Sequence, residues 1–518
     1  MSQLHLSRVL SQALRDHGQR TAALCGSEPF TYAQTYERAL RLANGLRGLG
    51  VAKGDRVAVL MLNCHRYLEL YFAAALSGVV VVPLNVRWGA KEFSHALMDS
   101  APKVFAIDGV ILQHLQPYLE ALRMLGIQHL LYADHTAPQG MVCYEDLLKD
   151  APADPIEADL REDDLFGLFY TSGTTGNPKG VMLTHKNLYT NAYHAQHALR
   201  LRADSIYLHV APMFHLADGC SNFYLSWSGG AHAFIPRFEE EAFFAAVQRW
   251  KVTSTVLVPA MVNWLLHHPK RGAYDLSSLR EVLYGASPMP LKVLQGAMGA
   301  FECDFIQGYG MTEAAPLVTV LDAEDHRAAL QGWRPERLSS AGKPIPGVEV
   351  RVVGGGGQDV SNGQVGEVWV RGPNVMAGYW QLPEETANVL DADGWYRSRD
   401  MGYLDADRYL TLVDRKGDMI ISGGENVYST EVEDALYQHE AVLEAAVIGV
   451  PHERWVEAVK AVVVLKPGYA LSEAELIAHC KQRLSPYKVP KGVEFVAELP
   501  KGGTGKILKH ALRERYRK

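Results

Sequence analysis

The chain has 518 residues, 48% of them hydrophobic, and a formal charge of -7. That length exceeds what one core supports, so a large N-terminal region and a smaller separate domain are expected. The mild charge excludes the strongly basic surface of a nucleic-acid or anionic-membrane binder, which leaves small molecules as the expected partners. Cys25, Cys64, Cys143, Cys220, Cys303 and Cys480 never form a CxxC pair, which argues against a disulfide framework and a zinc cluster and fits a reducing, cytoplasmic setting.

At the N-terminus "MSQLHLSRVLSQALRDHG" is broken by Arg8, Arg15 and Asp16, so it lacks the apolar core of an export signal. "TYAQTYERALRLANGLRGLG" has helical periodicity. The apolar stretch from Tyr71 to Leu84 contains Ser77 and Gly78 and is shorter than the roughly 20 residues of a membrane span, so it reads as a helix end running into a buried strand, "VVVVPL". With "RVAVLML", "STVLVPA" and "KAVVVL" it predicts an α/β architecture of largely parallel strands buried on both faces. Around Val350 to Val370 short strands and Gly-rich turns predict a small β-rich subdomain. Its four consecutive glycines read as a hairpin loop, because no helix start follows them as in a phosphate loop. After "YLTLVDRKGD" βα patterning resumes and ends in a basic helix. The expected division is 1–413, a hinge at 414–417, and a mobile small α+β domain at 418–518.

The segment "YTSGTTGNPKGVMLTH", Tyr170 to His185, is dense in hydroxyls and glycines and contains one lysine. Glycines admit backbone amides to phosphate oxygens, Ser and Thr hydroxyls donate, and Lys179 adds positive charge, so the segment suits polyphosphate. A bland surface loop is the alternative. The spacing GxxxxGK[ST] is absent here and at "GGTGKI", which disfavours an ordinary P-loop NTPase. Further along stand "LYGASPMP", "QGYGMTE", "GWYRSRDMGYLD", "VDRKGDMI", "SGGENVYSTEVE" and "LPKGGTGKILKHALRERY".

In that order these motifs resemble those of the adenylate-forming superfamily, which includes acyl-CoA synthetases, amino-acid adenylation domains and firefly luciferase, and the resemblance covers nearly the whole chain. It implies that Thr171, Ser172, Gly173, Thr174, Thr175, Gly176 and Lys179 hold the phosphates of ATP. Ala286, Ser287, Gln307, Gly308, Tyr309, Gly310 and Met311 are placed around adenine, Thr312 on the α-phosphate and Glu313 on Mg²⁺. Asp400 matches a ribose-binding aspartate and Arg415 a ribose- or phosphate-contacting arginine. Ser398 and Arg399 replace the family's usual Thr-Gly, so a changed loop shape is expected there. Gly417 stands at the family's hinge position, normally Asp or Lys.

Lys506 matches the C-terminal catalytic lysine, although alone it would read as part of a solvated basic tail. Gly423, Gly424 and Glu425 match a turn that lines the pantetheine tunnel in a second pose, and could equally be a helix-entry turn. In "PMFHLADG" His215 matches a mobile acyl-pocket residue. The amino-acid-binding aspartate of some relatives is replaced by Leu216, and Asp218 is expected to point elsewhere. The implied activity is ligation of a carboxylic acid to coenzyme A through an acyl-adenylate. An aliphatic acid is favoured, with an aryl acid, a carrier-protein acceptor, a luciferase-like oxygenase and a nucleotide-binding non-enzyme as alternatives. A homodimer is left open, and no integral membrane contact is expected. The pairs His194/His197 and His267/His268 read as solvated histidines rather than metal ligands.

Overall fold

The computed structural model describes residues 4–26, 28–115, 122, 124–171, 177–422, 425–452, 455–502 and 505–516. Two large mixed sheets form the bulk of the molecule. The first runs Gly378–Tyr379, Lys179–Thr184, Leu165–Thr171, Val80–Pro83, Arg56–Leu60, Val104–Ile107, His129–Tyr132, Val142–Cys143. The second runs Lys343–Pro344, Leu317–Leu321, Asp304–Gly310, Glu281–Gly285, Ser254–Leu257, Ile206–His209, Ala231–Phe234, Thr21–Cys25, Glu28–Thr31. Their central strands are parallel, as continuous apolar runs buried on both faces require. The helix Tyr32–Gly48 begins at a capping box between Thr31 and Gln34. Helix His65–Ser77 does lead into Val80–Pro83. It is buried almost all round because it lies in a core shared by Val57, Val81 and Phe166 of one sheet and Ala23, Tyr207 and Phe234 of the other.

The expected β-rich subdomain is a four-stranded antiparallel sheet of Glu349–Val353, Gly366–Arg371, Tyr396–Leu404 and Leu410–Arg415. Gly354 to Gly357 form a hairpin turn, with Gly354 N donating to Gln358 O and Gly357 at φ +80°. Beyond Arg415 a turn closes through Asp418 N and Met419 N, which both donate to Arg415 O. A Cβ on Gly417 would meet open space, so nothing in this conformation demands glycine there.

The C-terminal sheet orders Glu425–Val427, Ile420–Ser422, Val456–Leu465 and Val442–His452, with Gly492–Phe495 alongside Val456–Leu465. Here one expectation is corrected. "KAVVVL" pairs antiparallel with Val442–His452 and Ile420–Ser422, and only Gly492–Phe495 runs parallel to it. The run is apolar because Val459, Ala461 and Val463 enter one core while Val462 and Val464 enter another. Two-sided burial fixes composition, not strand direction. This part meets the large region where Asn263 Nδ2 donates to Leu443 O (3.0 Å) and Trp264 Nε1 to Glu444 Oε1 (3.2 Å). Lys501 Nζ pairs with the same carboxylate oxygen at 2.7 Å. Among the described residues no helix is long and apolar enough to cross a membrane.

Candidate active site

The carboxyl ends of two neighbouring parallel strands open the site. Gly285 and Gly308 are register partners, and a Cβ on Gly285 would lie 2.2 Å from the Gly308 carbonyl oxygen, so only glycine fits. Ala286 follows with φ +68° at an exposed turn, and Ser287 is half-buried beside it. At Gly310 a Cβ would fall 1.8 Å from the Pro316 carbonyl, because the chain doubles back there and Met311 N donates to Pro316 O. That reversal holds Thr312 and Glu313 in a single 3₁₀ turn, Thr312–Ala314. Gln307, at the start of the same glycine-rich stretch, accepts a 3.3 Å hydrogen bond from Tyr284 OH.

Glu313 Oε1 accepts from Tyr379 OH at 2.9 Å. Burial pushes the Glu313 carboxyl up, opposed by Tyr379 and by the more distant Arg415. The face of the Tyr379 ring carries Lys179, whose Nζ is 5.3 Å from the centroid and is paired with Glu385 Oε2 at 2.6 Å. Thr171 and Lys179 are opposite each other where two antiparallel strands end. Ser172, Gly173, Thr174, Thr175 and Gly176, which would complete the phosphate segment between them, lie outside the described residues, as do Gly423 and Gly424. Glu425 is exposed in a short hairpin strand opposite Ser422, and the helix Ser429–Tyr437 follows.

Asp400 is buried. Its Oδ2 accepts from Tyr309 OH at 2.8 Å, and Oδ1 lies 3.2 Å from Arg415 Nε, its register partner on the adjacent strand. Arg399 adopts φ +63°, the left-handed conformation that glycine favours. Ser398 braces the turn by donating from Oγ to Val368 O while accepting from Asp400 N. A non-glycine residue held there costs roughly 1 to 2 kcal/mol.

Lys506 reaches this place from the far end of the chain. It sits on a hairpin in which Gly502 N donates to Lys506 O, and Gly505, at φ +81°, faces the large region so closely that a Cβ on it would lie 3.4 Å from Val258 Cγ2. Burial lowers the Lys506 ammonium to about 8, helped by the Arg415 cation, while Asp400 and Asp418 pull the other way. His215 is lowered to about 4, first by burial and then by the charge of Lys506. The basic-tail reading of Lys506 therefore fails. Residues from three distant stretches, His215, the paired Asp400 and Arg415, and Lys506, share one electrostatic neighbourhood.

Sequence reasoning missed Tyr379 and Glu385, since "GYWQLPEE" carries no motif that distinguishes it from an ordinary turn and helix start. Asp218 does point away from this neighbourhood, into the core. His197 Nδ1 pairs with Tyr193 O and His267 Nδ1 with Asn263 O, and no group of three or more metal-ligating side chains occurs among the described residues.

A half-buried carboxylate whose charged form burial disfavours, with one oxygen engaged by a tyrosine, is a fitting partner for a cation. One carboxylate together with substrate phosphates is the usual protein share of a Mg²⁺ site. Mg²⁺ held by Glu313 would neutralise phosphate charge. A buried carboxylate that accepts from a hydroxyl, a glutamate suited to a cation and an ammonium carried on the C-terminal hairpin are groups that a nucleotide-dependent, acid-activating ligase would need.

The chain belongs to the AMP-binding enzyme family, which matches residues 10–380, and its C-terminal part, residues 431–506, matches the AMP-binding enzyme C-terminal domain. It is 44% identical over 497 residues to a feruloyl-CoA synthase from Amycolatopsis sp, covering 96% of each chain. It is 33% identical to a fatty acid–[acyl-carrier-protein] ligase from Streptomyces coeruleorubidus, covering 100% of this chain and 98% of the relative. An anthranilate CoA ligase in complex with anthranoyl-AMP superposes with a TM-score of 0.91 at 28% identity, over 99% of this chain and 98% of that one. The protein is an AMP-forming acid–thiol ligase that uses ATP, Mg²⁺ and coenzyme A.

Proposed function

We infer that this ligase joins an aryl acid to coenzyme A. The meeting of Lys506 with His215, Asp400 and Arg415 supports the chemistry, and the 44% identity to a feruloyl-CoA synthase, together with the likeness to an anthranilate ligase, supports the substrate class. This replaces the aliphatic preference, which rested only on apolar composition around the pocket. In the first step a carboxylate oxygen attacks the α-phosphorus of ATP, the bond to pyrophosphate breaks, and acyl-AMP forms. Lys506, as an ammonium, stabilises the charge on the reacting carboxylate and α-phosphate. Thr312 donates to the α-phosphate, Asp400 accepts from the ribose hydroxyls, and Arg415 steadies Asp400 while facing ribose or phosphate. Thr171, Lys179 and Ser172 to Gly176 hold the outer phosphates, and the strand ends at Ala286, Ser287 and Gln307 to Met311 flank adenine.

Lys179 is tied to Glu385 in this conformation, so ATP must draw it away. In the second step the thiol sulfur of coenzyme A attacks the acyl carbon, the bond to AMP breaks, and the thiol proton is released. A turn of the 418–518 domain about 414–417 withdraws Lys506 and brings Gly423, Gly424 and Glu425 to the thiol path. A carrier-protein thiol is the second reading, favoured by the likeness to the acyl-carrier-protein ligase.

The test is kcat/KM across aryl, arylpropenoic, medium- and long-chain acids, reading pyrophosphate and thioester together. The inference expects an arylpropenoic or benzoic acid to lead the aliphatic acids by at least about 1.4 kcal/mol, a factor of ten. An aliphatic acid in the lead would overturn the substrate class. Pyrophosphate release without acyl-CoA would favour the carrier protein.

A further inference from the structure

His215 stands on an excursion that leaves the sheet at His209, the last residue of strand Ile206–His209, and ends in the short helix Leu216–Gly219. The two ends of this excursion are joined inside the core. His209 Nδ1 donates to Asp218 Oδ2 at 2.8 Å, and Tyr207 OH donates to Asp218 Oδ1 at 2.9 Å. Asp218, His209 and His232 are each 0% exposed. The chain of partners continues, with His209 Nε2 lying 2.9 Å from His232 Nδ1 on the neighbouring strand and His232 Nε2 3.0 Å from Ser226 Oγ on the next helix. The His209 ring is stacked on Phe234 at 4.8 Å. Asn63 ties the middle of the excursion, donating to Ala211 O and accepting from Met213 N, and Tyr71 OH donates to Met213 O.

A carboxylate buried this deeply destabilises a fold by several kcal/mol unless its partners are well placed, and an apolar residue of similar size would serve packing alone. What the carboxylate adds is one defined geometry for the start of the helix behind it. That start matters to His215, because Ala217 N donates to His215 Nδ1 at 3.2 Å. With its pKa near 4 the ring is neutral at pH 7, so a ring that accepts at Nδ1 carries its proton on Nε2. Both the orientation and the tautomer of His215 thus depend on a backbone amide one residue from Asp218.

We propose that Asp218, held by His209, is a positioning residue for His215, fixing the short helix whose first turn aims the imidazole at the acid. The proposal rests on the assignment of His215 to the acid pocket. Its test uses the full-length enzyme with whichever carboxylic acid it adenylates best, so a wrong substrate class would show separately, in the acid panel. Asp218→Asn preserves volume, Tyr207→Phe removes a single hydrogen bond, and the melting temperature reports folding of each.

Asp218→Asn is expected to raise KM for the acid about tenfold while KM for ATP stays within about twofold, as a misaimed group rather than a loosened fold would do. In a His215→Ala background the same substitution should change KM for the acid by less than about twofold, because its effect passes through His215. Should Asp218→Asn fail to fold, Tyr207→Phe carries the cycle with an expected rise of about threefold, the worth of one weak hydrogen bond. An unchanged acid KM in a folded variant, equal rises for acid and ATP, or full additivity with His215→Ala would each overturn the proposal.

Discussion

Lys506 provides the sharpest perturbation, because its ammonium is held at about 8 instead of its usual 10.5. That displacement corresponds to about 3 kcal/mol of cost to the charged form, most of it from burial. The cation is the form that stabilises the adenylation transition state, and a lowered lysine loses its proton as pH rises through its own pKa. Adenylation should therefore be level below about pH 7 and then fall about tenfold per unit above pH 8. ATP–pyrophosphate exchange from pH 6 to 10 reads this step without the thioester reaction. Lys506→Arg keeps its charge throughout, so its rate should be lower but flat across the range. Lys506→Ala should lose about 10²- to 10³-fold in exchange, with no alkaline limb. A wild-type profile level to pH 10, or an alkaline limb near 8 retained in Lys506→Arg, would refute the assignment of the titration to Lys506.

Tyr379→Phe removes a donor that lowers the Glu313 carboxyl. Glu313 should rise further, and because the ionised form binds the cation, the acid limb of exchange activity should shift to higher pH and the Mg²⁺ requirement should increase. An unshifted limb and an unchanged Mg²⁺ titration would contradict this. Trp264→Ala removes the hydrogen bond to Glu444 and the ring beneath Lys501, 4.8 Å from its centroid, which together hold the conformation that delivers Lys506. A loss of about 1.4 kcal/mol from that contact should slow adenylation about tenfold and leave thioester formation from preformed acyl-AMP unchanged, whereas equal slowing of both steps would show a general loss of structure.

The fold was legible where local pattern and tertiary demand agree. The helix Tyr32–Gly48, the apolar parallel strands and the Gly354 to Gly357 hairpin all follow from neighbours in sequence. The candidate site is legible at Glu313, Asp400, Arg415 and Lys506 because each stands in a motif that carries the family resemblance. Tyr379 and Glu385 were not, since their partners Glu313 and Lys179 lie 66 and 206 residues away. The buried chain from Asp218 through His209 and His232 to Ser226 was hidden for the same reason, as nothing in "IYLH" or "AHAF" marks a histidine as one that will meet a carboxylate across a sheet. The direction of "KAVVVL" was misjudged because composition reports burial, while pairing partners decide direction.

The most direct test of the account is a single turnover in two stages. Enzyme in excess over acid is mixed with ATP and Mg²⁺ without coenzyme A, quenched, and analysed for nucleotide and acyl species. Coenzyme A is then added to a parallel sample. Acyl-AMP and pyrophosphate are expected in equal amounts in the first stage, with acyl-AMP converted to acyl-CoA and AMP in the second. Formation of ADP and phosphate, or acyl-AMP that persists when coenzyme A is added, would contradict it.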